Sequence, residues 1–304
     1  MMVRDKKERT LNKLQGVFPV LPTPFASNGA LDDDSMRRLV DYVSERAVHG
    51  VSILGFLGEA HKLSTSERDQ VVKTVVTHKS KGLSVCVGIR ALGAAGAVEQ
   101  AQRACDLGAD ALFVAPIPTG SDNAQFEYFR TVASSSSLPM LIHDFPDSFG
   151  ITISTDLVVR LHREIENIVG MKLEERPVLP KLSRILAAVP GCRIFGGLGG
   201  IYCLEELGRG AIGIMTGFAF PEILVKVYTL FTNGDSKGAA IAFDRYASLL
   251  RYEFQPHIGL AFRKYLYKKR GVFETDFIRA PRFEMDEQSR TELDSILNRL
   301  EVAI

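Results

Sequence analysis

Short runs of Val, Ile and Leu recur along the chain, each followed by a longer stretch with helical spacing of apolar and polar positions. The runs cover 16–21, 51–55, 83–89, 111–115, 140–143, 168–173, 193–196 and 211–216. They are apolar at consecutive positions, so both faces of each strand should be covered, as in a parallel sheet. Helical stretches fall between them at 33–48, 66–79, 94–107, 122–133, 155–163, 177–188 and 201–207. Ser64-Thr65-Ser66-Glu67 has the spacing of a capping sequence, and Ser154 can cap the helix that begins at Thr155.

Strand followed by helix, about eight times at spacings of roughly 20–35 residues, is the arithmetic of an α/β protein built as a (β/α)8 TIM barrel. A doubly wound sheet would place a Gly-x-Gly-x-x-Gly turn after an early strand. The glycine-rich Gly196-Gly197-Leu198-Gly199-Gly200 instead follows the seventh run. From 221 onward only helices are expected, at 221–232, 236–250, 257–269 and 287–302. The expected organisation is a charged N-terminal segment over 1–15, the barrel over 16–232 and a C-terminal helical extension over 233–304.

The chain has 304 residues, is 46% hydrophobic and carries a net charge of +1, which leaves no electrostatic footprint for nucleic acid or an anionic membrane. No apolar run is long enough to span a bilayer, and the charged start does not read as a leader, so a cytoplasmic location is expected. Four cysteines are dispersed without a Cys-x-x-Cys pair; Cys86, Cys105 and Cys192 fall in or beside buried elements as small apolar residues.

In a barrel, reactive groups lie at the carboxyl ends of strands. Lys172 ends the sixth run, where an ammonium is costly to desolvate. Burial favours a neutral amine, and a neutral amine can attack a carbonyl to form a Schiff base; the plain alternative is a lysine that snorkels to solvent. His143 and Asp144 end the fifth strand and Arg90 the third, so the set suits Schiff-base chemistry on an anionic carbonyl compound. No His, Cys or carboxylate cluster has metal-ligand spacing on these ends, and no metal is expected.

Several segments together resemble the dihydrodipicolinate synthase / N-acetylneuraminate lyase family of class I aldolases. They are Pro22-Thr23-Pro24-Phe25, Gly55-x-x-Gly58-Glu59 with Leu63-Ser64 and Glu67-Arg68, Gly108-Ala109-Asp110, Pro139, Pro146, and Gly170-Met171-Lys172. The resemblance implies a Schiff-base lysine at Lys172, no organic cofactor, a small 2-oxo acid substrate and a homo-oligomer, tetramer or dimer. Departures cluster at the site. The family's Gly-Thr-Thr-Gly-Glu loop reads Gly55-Phe56-Leu57-Gly58-Glu59, its strand-five tyrosine is His143, its second shuttle tyrosine falls on Pro118, and an arginine of the synthases falls on Ser148. Phe18-Pro19-Val20, His143-Asp144, Met215-Thr216-Gly217-Phe218 and Phe220-Pro221 look like the branch containing 2-keto-3-deoxy sugar acid dehydratases.

The resulting expectation is a lyase that dehydrates or cleaves a 2-keto-3-deoxy sugar acid through an imine on Lys172. The alternatives are dihydrodipicolinate synthase proper and a non-catalytic binder of small acids. The backbone N–H groups of Leu57 and Gly58, with Arg90, are expected to hold the carboxylate; Arg90 paired with a loop acid is the rival. His143 is expected to move protons. Glu59 should brace its loop through backbone amides, and Gly196, Gly197 and Gly213 should leave room for the substrate. Asp144 could orient His143, but adjacent strand residues point to opposite faces, which favours a structural role. The polar and aromatic segment 251–257 has the character of a lid or interface without a place on the site.

Overall fold

The computed structural model describes residues 13–304; residues 1–12, most of the charged N-terminal segment, lie outside the described residues. Among the described residues eight strands form one parallel sheet: β1 (Gly16–Pro19), β2 (Gly50–Ile53), β3 (Ser84–Ile89), β4 (Ala111–Val114), β5 (Met140–Asp144), β6 (Ile168–Leu173), β7 (Arg193–Gly196) and β8 (Gly213–Thr216). The sheet runs β1-β8-β7-β6-β5-β4-β3-β2, and a parallel bridge between Val20 and Ser52 brings β1 back to β2. This is the expected (β/α)8 barrel. The intervening helices are α1 (Asp33–Glu45), α2 (Thr65–His78), α3 (Ala94–Asp106), α4 (Asp122–Ser134), α5 (Pro146–Phe149), α6 (Thr155–Glu164), α7 (Val178–Ala188), α8 (Cys203–Gly208) and α9 (Pro221–Thr232). Beyond them come α10 (Ser236–Glu253), α11 (Gly259–Lys269) and α12 (Glu287–Arg299).

The caps read from the sequence are made. Ser64 Oγ accepts from the Glu67 N–H while Glu67 Oε2 accepts from the Ser64 N–H, and Ser154 Oγ accepts from the Leu157 N–H. Two elements differ from expectation. Residues 146–149 form the extra single turn α5, started by Pro146 at its first position and stopped by Gly150 at φ +67°. Helix α11 begins at Gly259 rather than at 257 because His257 itself sits at φ +67° and breaks the helical path.

Alternation along the strands sorts side chains into two cores. Phe18, Cys86, Ala111, Phe113, Leu141, Phe195 and Met215 fill the barrel lumen. Their neighbours, such as Val17, Leu112, Ile142, Met171, Ile194 and Ile214, face the helices. The lumen is therefore a packed apolar plug, with Phe18 and Phe195 edge to face at 5.2 Å. Polar side chains at the carboxyl ends of the strands stand on that floor.

Gly213 does not make room for a substrate. It opens β8 at the amino end of the strand, paired with Gly16 of β1, far from the mouth. A Cβ there would fall 2.1 Å from the Gly16 carbonyl oxygen, so the missing side chain lets two strand backbones close the barrel. Gly213→Ala should lower stability by about 2–3 kcal/mol through overpacking. Denaturant titration would show the loss, while ligand binding at the opposite end of the strand should be unchanged in the folded fraction.

Candidate active site

Three side chains converge on the lumen at the mouth. β5 and β6 pair with His143 opposite Lys172, so strand alternation puts both on the inner face. Glu174 lies two residues beyond Lys172, and its N–H extends the ladder to the Asp144 carbonyl at 2.8 Å, so it faces the same way. Lys172 Nζ donates to Glu174 Oε2 and lies 3.2 Å from His143 Nε2, which is itself 3.1 Å from Glu174 Oε2. Lys172, His143 and Glu174 are buried, at 5%, 3% and 4% exposure respectively.

Aromatic rings wall this cluster. Phe113 lies beneath His143 at 5.2 Å, and Phe149 meets the imidazole edge-on at 4.9 Å. Phe145 stacks over it at 6.2 Å and lies 5.8 Å from Lys172 Nζ. Burial, followed by the Lys172 charge, holds the His143 pKa well below its ordinary value, so the imidazole is neutral at pH 7. Burial alone would raise Glu174, but the positive charge of Lys172 and the bond to His143 outweigh it and keep the carboxyl ionised. The cluster holds an amine, a carboxylate able to take its proton, and a neutral imidazole touching both.

The loop after β2 forms the neighbouring wall. The Gly58 N–H donates to the Gly55 carbonyl at 3.1 Å, so it is committed to the turn and is not free for a carboxylate. Among the described residues the Leu57 N–H has no such partner. Thr23 Oγ1 fastens the loop by donating to the Gly58 carbonyl at 2.6 Å. Glu59 is in the left-handed region at φ +54° and fully buried. It braces the loop chiefly through other parts of the chain, accepting from Lys62 Nζ, from Lys264 Nζ and from the Arg279 N–H.

Arg90 continues the inner face of β3 past Gly88. Its backbone N–H and carbonyl are fixed by Gln100, and its guanidinium lies 4.9 Å from the Phe149 ring and 5.8 Å from the Phe56 ring. No carboxylate among the described residues forms an ion pair with it. Pairing with a loop acid is therefore not what holds it.

Asp144 points outward, as alternation requires. Its carboxylate receives Lys181 Nζ at 2.7 Å, and Lys181 also reaches the Ile153 carbonyl and Glu175, so Asp144 anchors α7 instead of orienting His143. Burial outweighs the attraction of Lys181 and pushes the Asp144 pKa up to about 6.

Gly196 and Gly197 leave room for protein carboxylates and not for a ligand. A Cβ on Gly197 would lie 2.3 Å from Glu174 Cγ, and one on Gly196 would lie 1.8 Å from Glu206 Oε2. Glu174 is further held by the Leu198 N–H at 3.0 Å.

The cluster opens into a cavity of about 710 Å³. Leu57, Phe145, Ser148, Lys172, Glu174 and Arg176 line it on the barrel side. Phe254, Gln255, Pro256 and His257 form part of the far wall, which places the segment after α10 on the site. Among the described residues no three His, Cys, Asp or Glu side chains gather to hold a metal ion, and no helix is long and apolar enough to cross a membrane.

A model of the dihydrodipicolinate synthetase family matches residues 13–300. The chain belongs to that family. It is 30% identical over 295 residues to L-2-keto-3-deoxyarabonate dehydratase of Azospirillum brasilense, covering 94% of each chain. A probable 2-dehydro-3-deoxy-D-pentonate aldolase of Escherichia coli is 29% identical over 241 residues, 76% of this chain and 78% of that one. A crystal structure of dihydrodipicolinate synthase from Rhodopseudomonas palustris superposes with a TM-score of 0.89 at 32% identity, covering 94% and 98% of the two chains. This member of the dihydrodipicolinate synthetase family is a lyase of the class I aldolase type. Family members act on small 2-oxo acids and are usually oligomeric.

Glu174, Phe145 and Phe149 were not assigned roles from the sequence. Glu174 had a usable signal, since i and i+2 share a strand face. The phenylalanines had none, because a loop's path sets where they point.

Glu206, on α8 behind Gly196, is buried, and neither carboxyl oxygen has a hydrogen-bond partner among the described residues. Burial, then the charges of Glu174 and Glu205, push its pKa up from 4.5 to about 8. A carboxyl raised on folding stabilises the fold below its unfolded pKa, and that contribution is lost as pH rises through the folded value. Glu206→Gln, which cannot ionise, should therefore gain stability relative to the parent as pH rises from about 4.5 to 8. Melting curves of both proteins at pH 5 and pH 8 test this; an equal difference at the two pH values would show that Glu206 does not titrate in that window.

Proposed function

We propose that the protein dehydrates a 2-keto-3-deoxy sugar acid through an imine on Lys172. The observation that carries this reading is the buried contact of Lys172 with both Glu174 and His143. When substrate enters, Lys172 passes a proton to Glu174 and attacks C2; a second amine proton moves to the former ketone oxygen, Glu174 returns the first to it, and that oxygen leaves as water. The cationic imine draws electrons from the C3–H bond. Glu174, a carboxylate again, takes the C3 proton and shares it with His143, and the bonding pair becomes the enamine C2=C3 bond. The enamine then expels the C4 hydroxyl, which accepts a proton from the same relay and leaves as water. Hydrolysis of the resulting conjugated imine frees Lys172.

Arg90 and the Leu57 N–H hold the substrate carboxylate in this scheme. The Arg90 guanidinium forms no ion pair among the described residues and lies beside the Phe56 and Phe149 rings, leaving its fork free for a carboxylate. A neutral His143 suits a relay because its Nε2, which lies against both Lys172 and Glu174, can take up a proton from one and return it to the site. The dehydratase relative, matched over nearly its whole length, supports dehydration. Cleavage of the C3–C4 bond through the same enamine is the second reading, favoured by the aldolase relative. Synthesis of the dipicolinate ring is disfavoured because Phe56 and Leu57 cannot donate side-chain hydrogen bonds and Ser148 replaces a carboxylate-gripping arginine.

Borohydride trapping with pyruvate and a panel of 2-keto-3-deoxy sugar acids should give a reduced adduct that peptide mapping places on Lys172. Lys172→Ala should trap nothing, and absence of any adduct on folded wild-type protein would sink the lyase reading in favour of a binding role. Glu174→Gln should lower kcat by roughly 10²–10⁴-fold, the range for loss of a general acid–base group. Turnover within a few-fold of wild type would remove Glu174 from the proton path.

A further inference from the structure

Arg263, on α11 of the C-terminal extension, lines the same cavity as Lys172 and Glu174. It is 3% exposed, and its Nε donates to the buried carboxylate of Glu253 at 2.8 Å. Glu253 is fixed in turn by the Ala219 N–H at 3.1 Å. Only the inner edge of the guanidinium is used. Its two terminal nitrogens have no hydrogen-bond partner among the described residues. Two glycines frame the group: a Cβ on Gly217 would lie 3.3 Å from Arg263 Nε, and one on Gly259 would lie 3.2 Å from a terminal nitrogen. Gly217 also leaves space for Leu57, whose side chain would otherwise be struck at 2.3 Å, so Arg263 and the Leu57 loop approach the cavity over the same glycine.

The other cations that line this cavity are each paired with a carboxylate among the described residues. Lys62 is held by Glu59 at 3.0 Å, Arg176 by Asp147 at 3.1 Å and Arg282 by Glu284 at 2.7 Å. A guanidinium anchored on one edge and open on the other is a preorganised fork for oxygen acceptors. The terminal N–H groups have no protein partner among the described residues, and Arg263 lines the cavity, so oxygen atoms of a bound ligand can complete them. Ser148, Gln255 and His257 add hydrogen-bonding groups to the same walls.

We propose that Arg263 is a specificity-determining residue that grips hydroxyl or carboxylate oxygens on the substrate chain beyond C3. The assignment rests on the imine reading above. Pyruvate, with three carbons, has no such oxygens and does not engage the fork. A 2-keto-3-deoxy sugar acid does.

The test measures the concentration needed for half-maximal borohydride trapping in wild type, Arg263→Met and Arg263→Lys. The probes are pyruvate, 2-keto-3-deoxy-pentonate with its terminal hydroxyl, and the five-carbon 2-oxo diacid. In wild type the longer acids should trap at lower concentration than pyruvate. Arg263→Met should raise their half-maximal concentrations about 10- to 100-fold, the span expected for lost hydrogen bonds to a charged group, while moving pyruvate by less than about twofold. Arg263→Lys keeps a cation beside Glu253 and guards against a folding defect; it should fold and recover only part of the preference. Whichever long acid loses more identifies hydroxyl or carboxylate as the group gripped. If wild type traps no acid, the imine reading itself fails. If wild type traps pyruvate, but the variants weaken all probes equally or none, the role of Arg263 is overturned and the imine stands.

Discussion

Everything at the mouth depends on the pairing of β5 with β6. Parallel register sets His143 opposite Lys172, and a two-residue repeat then gives Glu174 the same face and Asp144 the opposite one. A slip of one residue would exchange the faces, pointing Lys172 into the helix layer and Asp144 into the lumen. On its other side β6 is packed just as closely, since a Cβ on Gly170 would fall 1.9 Å from the Arg193 carbonyl oxygen of β7. The chemistry of the lysine is thus decided by backbone hydrogen bonding several residues below it.

The apolar plug gives that register its electrostatic meaning. Phe113, Phe145 and Phe149 surround His143 and replace water, so the imidazole stays neutral and the Lys172–Glu174 charges are screened by little else. Just outside the strand, Glu206 lies in the space left by Gly196, and Glu174 occupies the space left by Gly197. Two consecutive glycines therefore let two carboxyl groups approach one strand end. One is compensated by a lysine and the other is kept neutral by burial.

The C-terminal extension is part of the site and not an appendage to it. Lys264 Nζ bonds both Glu59 and the Phe277 carbonyl, and Arg279 reaches Gly29, Lys62 and Glu67, so residues 277–279 stitch the loop after β2 in place. The same extension contributes Arg263 and the wall that follows α10. Local turn hydrogen bonds would leave the Leu57 loop with little to resist motion. Long-range ion pairs packed against Phe25, that of Lys264 with Glu59 fully buried, supply that resistance.

The sequence by itself determined the barrel, because consecutive apolar positions and capping residues act over a few residues and read directly as strands and helix starts. It also determined that Lys172 and His143 end neighbouring strands, and that Asp144 must face away from His143. The partner of Lys172 was within reach of the same rule, two residues along, though no role was read for it. Only the tertiary structure decided what the glycines are for: Gly196, Gly197 and Gly213 look alike in sequence, yet their neighbours are Glu206, Glu174 and the Gly16 backbone. Only it could show that the Gly58 N–H is consumed by its own turn and that Glu59 is tied to a segment about 200 residues away. The reason is range. Periodicity and caps are local properties of the chain, whereas the space around a missing side chain and the partner of a buried charge are set by segments that meet only once the barrel has closed.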